Sequence, residues 1–324
     1  MAPPEPVVVD YPLAYQECRM NNALWSTVPI LAALVLGLGL GQYINNQYRG
    51  YVSRCVGGLV WALLFSLGAE FGSVLGNPEV AARSLLVGIT FAVVCTFATW
   101  LLIHLLTATS NRGTAFRMNE LLSSIGAGLK SCTVTLSIVA LGAIYAHFPI
   151  DWISQQSWKP TLGEMICVLV FLVGIELAKM KLSRNFFTLK SVSVPLITVV
   201  GTLLGGLLAA WVVDEPLKIG LVIASGFGWM SLSSAMVSET LGESYGSMVL
   251  ITDLLRELLA ITLLYVCGMK APLACIGATG VTSLDSTLPI IRMTCPEEAI
   301  PYAVASGLIL TVTSPLFIAF FLTL

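Results

Sequence analysis

Residues 251–266 read ITDLLRELLAITLLYV, an apolar stretch that contains Asp253, Arg256 and Glu257. A charge at the centre of a membrane helix costs about 2.5–3.5 kcal/mol, so such residues usually have a function. Asp253 and Glu257 share one helix face, and Arg256 is within reach of Asp253. The pattern predicts a membrane helix whose polar face lines a water-accessible path and binds a cation or carries protons. A neutralised cluster that only holds helices together is the alternative.

The whole chain has the composition of a membrane protein. Of its 324 residues, 56% are hydrophobic and only 10% are charged, whereas soluble domains carry about 25% charged residues. The mean hydropathy is +0.89. We therefore predict an all-α polytopic membrane protein with an extramembrane lead-in at 1–25 and one transmembrane domain at 26–324. The apolar segments are 26–44, 55–75, 84–106, 124–147, 162–178, 191–213, 218–238, 247–268, 272–291 and 300–323.

Two of these segments are interrupted by glycine, serine or proline. Residues 218–238 contain SGFG and a serine cluster, and residues 272–291 contain two glycines, Asp285 and an internal proline. Broken segments occur at membrane depth only where protein or water surrounds them. We therefore expect about eight full transmembrane helices plus two broken or re-entrant segments. Ten transmembrane helices, two of them discontinuous, is the alternative.

The distribution of Lys and Arg predicts the orientation of the chain. Alternate loops are rich in basic residues, which is typical of cytoplasmic loops. These loops hold Arg49, Arg54, Arg112, Arg117, Lys179, Lys181, Arg184 and Lys190. Both counts of spans place the C-terminus on the same side as the N-terminus. We therefore expect the basic loops in the cytoplasm and both termini outside.

Two apolar stretches of the chain resemble each other. LLFSLGAEFG at 63–72 and LVFLVGIELA at 169–178 both combine an apolar run with Gly-x-Glu. They lie three spans apart and would run antiparallel, which indicates inverted repeats of the kind found in transporters. Chance similarity between short apolar stretches is the alternative.

Other polar residues in or beside the apolar segments are candidates for binding a substrate or a proton. Glu70 lies between glycines in the second span, and Asp285 lies among hydroxyl residues in a segment whose freed carbonyls can also coordinate ions. Trp229 is placed to pack against an aliphatic ligand stem. The alternatives are an interfacial carboxylate for Glu70 and Glu239, and a capping role for Asp285. The full candidate set is Glu257, Asp253, Glu70, Arg256, Asp285, Ser225, Trp229 and Glu239.

Several classes of function lack their signatures in this sequence. The eight cysteines are scattered, only two histidines are present, and we find no basic stripe. We therefore expect no metal, no other cofactor and no nucleic-acid partner. A GxGD motif and a well-placed Ser/His pair are also missing, so we expect a transporter and not an intramembrane enzyme. A sodium-coupled carrier of an organic anion is the alternative transporter.

Four motifs of the C-terminal third resemble those of a known family. ASGFGWMSLSS, SETLG, TDLLRELLAI and GATGVTSLDSTLPII, in this order, are similar to the bacterial LysO-type lysine exporter family. The resemblance implies a carrier in the bacterial inner membrane, surrounded by membrane lipid, that exports L-lysine and analogues such as thialysine. It also implies an essential intramembrane acidic pair, in which Glu257 matches the glutamate of the D-x-x-R-E motif and Glu70 corresponds to the second-span position. The stretch before Asp285 is longer than in the family, which leaves the local loop geometry open.

The residues and the resemblance together predict proton-coupled antiport. Lysine carries an ammonium group on a four-carbon stem, and a buried carboxylate can bind this cation. Protons that enter from outside would neutralise Glu257, together with Glu70, and displace lysine outward. Sodium is the alternative coupling ion, and a homodimer is left open.

Overall fold

The computed structural model describes residues 28–43, 49–107, 133–148, 161–178 and 189–324. Within these ranges every regular element is a helix, which confirms the all-α class. Some of the expectations above concern parts of the chain outside the described residues. They are the lead-in at 1–25 and the loop residues Arg112, Arg117, Lys179, Lys181 and Arg184.

The helices follow the predicted apolar segments closely. Two of them, α2 and α3, begin six residues earlier than predicted, because their charged first turns extend beyond the apolar part. The helices are α1 (Val28–Gly41), α2 (Arg49–Leu75), α3 (Pro78–Thr107), α4 (Thr133–His147), α5 (Leu162–Ala178), α6 (Leu189–Val213), α7 (Leu217–Ala224), α8 (Met230–Leu241), α9 (Glu243–Cys267), α10 (Pro272–Thr279), α11 (Leu288–Thr294) and α12 (Ile300–Thr323). Short 3₁₀ segments lie at Gly280–Leu284 and Glu297–Ala299.

Four helical stretches in the described part are long and apolar enough to cross a membrane. They are Gly50–Leu75, Pro78–Thr107, Ser191–Val213 and Glu297–Thr323. The charged helix α9 has 25 residues, which at 1.5 Å per residue gives about 37 Å, also enough to cross a bilayer. These lengths support a multi-pass membrane protein, while the number of full spans stays a prediction.

Glycines allow close contacts in two helix pairs. Gly68 of α2 lies against the backbone of Val139 in α4, and Gly37 of α1 lies against the backbone of Phe171 in α5. Small residues at such crossings let membrane helices approach closely. The two helices that carry the Gly-x-Glu sequence, α2 and α5, therefore each have a glycine-mediated partner. The inverted repeats themselves stay a prediction.

Both predicted interruptions are confirmed. In the first, α7 ends at Ala224 and α8 begins at Met230, and the turn between them contains Phe227 and Gly228 with φ of +48° and +90°. In the second, the chain turns at Gly280, with φ of +63°, and passes through a 3₁₀ segment before α11. Residues other than glycine rarely adopt positive φ, so the surroundings of Phe227 hold it in a strained conformation.

The first interrupted segment is a helical hairpin, residues 217–241. Glu215, just before it, pairs with Arg83 near the start of α3. The end of the hairpin is also near the start of α3, since residues 241–245 and Val80 line one cavity. Both ends of this first hairpin therefore lie at the end of the helix bundle where α3 begins.

The second interrupted segment is also a hairpin, residues 272–294. Gly268, just before it, lies against Thr294, so both ends of this second hairpin lie at the C-terminal end of α9. Because α9 begins beside the end of the first hairpin, the two hairpins enter the bundle from opposite ends. Their tips meet, and the backbone N–H of Val281 donates a hydrogen bond to the carbonyl of Phe227 (N–O 3.0 Å).

Each hairpin packs into its own apolar core. The larger core surrounds the first hairpin and includes the fully buried side chains of Leu63, Phe91, Ile166, Leu169, Ile223 and Leu232. The smaller core surrounds the second hairpin and includes Ile103, Ile261, Leu264, Ile276 and Ile291. Backbone polar groups at the two tips therefore lie in apolar surroundings, where they need hydrogen-bond partners from the protein.

Candidate functional site

Asp253 of α9 holds the tip of the first hairpin. Its side chain is fully buried. Oδ1 accepts a hydrogen bond from the backbone N–H of Gly228 (3.2 Å), and Oδ2 accepts one from the Ser233 hydroxyl (2.5 Å). Because an isolated buried charge is costly, these donors stabilise the carboxylate while it fixes the turn.

Arg256, nearly one turn further along α9, is also sealed from solvent, with 1% of its surface exposed. Its Nη1 lies 3.9 Å from Asp253 Oδ1, beyond hydrogen-bond distance, and its Nη2 donates to the Thr202 hydroxyl of α6 (3.3 Å). Within the described residues, its Nε and Nη1 have no hydrogen-bond partner. We expected one water-lined face for Asp253, Arg256 and Glu257. This is wrong for the first two, because the first hairpin and the neighbouring helices cover them.

Glu257 contacts the second hairpin instead. Its Oε1 accepts a hydrogen bond from the Ser286 hydroxyl (2.7 Å), and 6% of the residue is exposed. Asp285 and Ser286 at this tip are both exposed, and Asp285 Oδ1 accepts a hydrogen bond from the Ser286 backbone N–H (2.5 Å). Glu176 of α5 is within electrostatic range of Asp285. The structure thus brings Glu257 and Asp285 together, with Asp285 at the surface of the protein.

The two hairpin tips therefore differ in charge. At the first tip, Asp253 has Arg256 as a counter-charge. At the second tip, neither Glu257 nor Asp285 has a basic side chain within 4.0 Å in the described part of the chain. Two neighbouring carboxylates without a counter-charge favour a bound cation or a proton. The second tip is therefore the stronger candidate for a cation site.

Ser225 and Trp229, at the first tip, both contact neighbouring residues of the same hairpin. Ser225 is fully buried, and its hydroxyl donates to the carbonyl of Leu221 in its own helix (2.5 Å). Trp229 directly precedes α8 and packs against the apolar residues around Phe227. A ligand role for these two side chains stays a prediction.

Glu70 lies in a separate acidic group, at the end of the bundle where α3 begins. It accepts a hydrogen bond from the Ser238 hydroxyl of the first hairpin and is within electrostatic range of Glu239 and Glu243. Glu243 precedes Glu257 by fourteen residues, which is about 21 Å along α9. The structure therefore does not bring Glu70 and Glu257 into contact, and the two carboxylates lie at different depths.

Two cavities lie beside this acidic group. One of about 600 Å³ is lined by Ser73 and residues 241–245, and the Ser73 hydroxyl donates to Glu243 (2.6 Å). The other, of about 460 Å³, is lined by Glu239 and Gly163 among others. Glu239 is exposed. It therefore lies at the protein surface near the end of α8, beside the start of α9 and away from Glu257.

Three serines that our sequence analysis did not name donate hydrogen bonds to the candidate carboxylates. They are Ser233, Ser238 and Ser286. The signal was present in the sequence, because hydroxyls in the apolar interior need polar partners. Which carboxylate each serine would meet depends on how the hairpins fold back. Within the described ranges, no group of three or more His, Cys, Asp or Glu side chains is placed to hold a metal ion.

Comparisons with known proteins agree on one family. The sequence profile described as "Lysine exporter LysO" matches residues 136–322, which include both hairpins and α9. The "Lysine exporter LysO" of Escherichia coli (strain K12) is 30% identical over 275 residues, which cover 83% of this chain and 90% of that protein. A "Putative lysine exporter" of Haemophilus influenzae is 31% identical over 188 residues, which cover 57% of this chain and 95% of that protein.

Proposed function

This chain belongs to the LysO family of lysine exporters, and from this premise we propose that it carries L-lysine out of the cell across the bacterial inner membrane. Lysine analogues that keep the ammonium group and the stem length, such as thialysine, are further substrates. Export is coupled to protons, and the chain itself binds no cofactor.

The observation that carries this proposal is the pairing of Glu257 and Asp285 at the tip of the second hairpin. Glu257 is nearly buried and bonded to Ser286, whereas Asp285 is exposed. An ammonium group that reaches Asp285 from solvent can pass to Glu257 without leaving the tip. The negative charge at this tip favours such a cation, and a carboxylate deep in the membrane binds it more strongly than an exposed one does.

The coupling follows from competition for the same carboxylate. Lysine leaves Glu257 when a proton from outside neutralises the side chain, because a neutral carboxyl group no longer attracts an ammonium group. Glu70 lies at the opposite end from the second hairpin and accepts protons or receives lysine on the outer side. Each exported lysine is therefore exchanged for protons that move inward.

We also propose how the chain crosses the membrane. Each hairpin begins and ends at one end of the bundle, which favours two re-entrant hairpins over two discontinuous spans. The first enters from outside and the second from the cytoplasm, where Lys270 and Arg292 then lie, as the distribution of basic residues requires. The remaining helices give eight full spans with both termini outside.

A growth assay tests the transport function and the site. An exporter-deficient strain is grown on thialysine with the wild type, Glu257→Gln, Glu70→Gln and the control Glu215→Gln. Glu215 is also a nearly buried carboxylate, but it pairs with Arg83 away from the hairpin tips. We expect protection from the wild type and the control, and its loss in the other two variants at equal expression. Equal protection by all four proteins would contradict the site.

Transport in proteoliposomes tests the coupling ion and the alternative substrate. We expect labelled lysine to move in the direction opposite to the proton flow that an imposed pH gradient drives. We expect an imposed sodium gradient to have no effect. Transport that follows sodium and ignores pH would contradict proton coupling. Sodium-dependent movement of an organic anion in place of lysine would support the alternative carrier. The burial of Arg256 does not favour that alternative, because an anion would need an accessible positive charge.

A further inference from the structure

The central helix α9 contacts the two hairpins through different carboxylates. Asp253 accepts hydrogen bonds from the first hairpin, and Glu257 accepts one from the second hairpin. Both oxygens of Asp253 are engaged by the tip, and no part of the residue is exposed. A carboxylate with no exposed surface and two donors of its own leaves little room for a substrate ammonium group.

Arg256 is unusual because it is buried and only partly bonded. One of its nitrogens donates to Thr202, while Nε and Nη1 have no hydrogen-bond partner within the described residues. Unbonded buried donors are rare, since each costs free energy relative to its hydrated state. Nη1 nevertheless lies only 3.9 Å from Asp253, so a small movement would let the two side chains bond directly.

These contacts offer Asp253 two alternative sets of hydrogen-bond donors. We propose that Asp253 is a positioning residue that does not bind the transported cation. It holds the tip of the first hairpin through Gly228 and Ser233, and it exchanges these donors for the free N–H groups of Arg256 when the tip moves away. The exchange keeps the Asp253 carboxylate hydrogen-bonded in both positions, so the first hairpin can open without leaving this buried charge without donors. This inference rests on the proposed function, because the hairpin movement serves the release of lysine on the outer side.

Lysine binding separates a positioning residue from a ligand. The affinity for labelled lysine is measured at one fixed pH with the purified wild type, Asp253→Asn and Glu257→Gln. The asparagine of Asp253→Asn can still accept a hydrogen bond from the Gly228 N–H, so we expect the affinity of this variant for lysine to stay within about threefold of the wild type. We expect its transport to fall at least about tenfold, because a hydrogen bond to a charged group is lost. Loss of binding as severe as in Glu257→Gln would overturn the inference, and so would wild-type transport. If the wild type itself binds no lysine, the proposed function fails instead.

Hydrogen–deuterium exchange of the peptide that covers residues 225–233 reports the position of the tip. Ser233→Ala removes a donor used only in the closed position, so we expect exchange in this peptide to become about tenfold faster. Arg256→Lys keeps the positive charge but weakens the alternative pair, so we expect slower exchange and slower transport. A purely structural role for Arg256 predicts the opposite, because loosened packing speeds exchange. Faster exchange in Arg256→Lys, or no change in Ser233→Ala, would refute the switch of partners. Glu215→Gln is the matched control, and we expect its tip peptide to exchange as in the wild type.

Discussion

Neutralising the two carboxylates of the second hairpin tip one at a time should weaken lysine binding unequally. The variants are Glu257→Gln and Asp285→Asn, which change charge and keep size. Glu257 is 6% exposed, whereas Asp285 is exposed at the surface of the protein. Because solvent screens a charge, the buried carboxylate should contribute more to the binding of an ammonium group.

The difference in burial sets the expected magnitudes. A hydrogen bond between charged groups in a buried site contributes about 1.5–3 kcal/mol, so Glu257→Gln should raise the Kd for lysine by about 10- to 150-fold. An exposed ion pair contributes about 0.2–1 kcal/mol, so Asp285→Asn should raise the Kd by no more than about fivefold. Because the two carboxylates are neighbours, the effects in the double variant should not be additive.

Isothermal titration calorimetry of purified protein at one fixed pH measures these constants. Norleucine, which has a similar stem but no side-chain ammonium group, serves as the control ligand and should bind none of the variants appreciably. A larger loss in Asp285→Asn than in Glu257→Gln would refute the assignment by burial. Norleucine binding as tight as that of lysine would refute recognition of the ammonium group at this tip.

Three further predictions concern the stability of the fold, and thermal melting in detergent measures each of them. Gly280→Ala should cost roughly 1–3 kcal/mol, because the new methyl group meets the backbone of the first hairpin at a positive φ; an unchanged melting temperature would contradict the tip contact. Gly142→Leu should lower the melting temperature, because the larger side chain separates α2 from α4. The control Gly57→Ala should leave the melting temperature unchanged, because its new methyl group points into open space. Arg83→Gln leaves Glu215 nearly buried without its partner (2.6 Å); it should cost about 1 kcal/mol, since Arg83 is half exposed, and less in high salt.

The interruptions of the two hairpins could be predicted from sequence because their cause is local. Glycine and proline disfavour a continuous helix, and the observed turns contain Gly228 and Gly280 at positive φ. The placement of α9 could be predicted for a similar reason, since its sequence is apolar on both sides of its three charged residues. Both features depend only on neighbours along the chain, so a single sequence reveals them.

The different partners of the two α9 carboxylates could not be predicted in the same way. Spacing places Asp253 and Glu257 on one helix face, but it does not show that each meets a different hairpin. Their partners, Ser233 and Ser286, lie on either side of α9 in sequence, twenty and twenty-nine residues away from the carboxylates they contact. The distance of Glu70 from Glu257 could not be predicted for the same reason, because it depends on how α2 packs against the first hairpin.

The meeting of the two tips links the two hairpins to each other. The Val281 N–H donates to the Phe227 carbonyl, and Asp253 and Glu257, one turn apart on α9, each bond to one of the two hairpins. A movement of the first hairpin therefore removes a hydrogen-bond acceptor from the second hairpin, whose tip also bonds to Glu257 at the proposed lysine site. Since one backbone hydrogen bond contributes about 0.5–1.5 kcal/mol, this link is strong enough to bias the second hairpin and weak enough to break during transport.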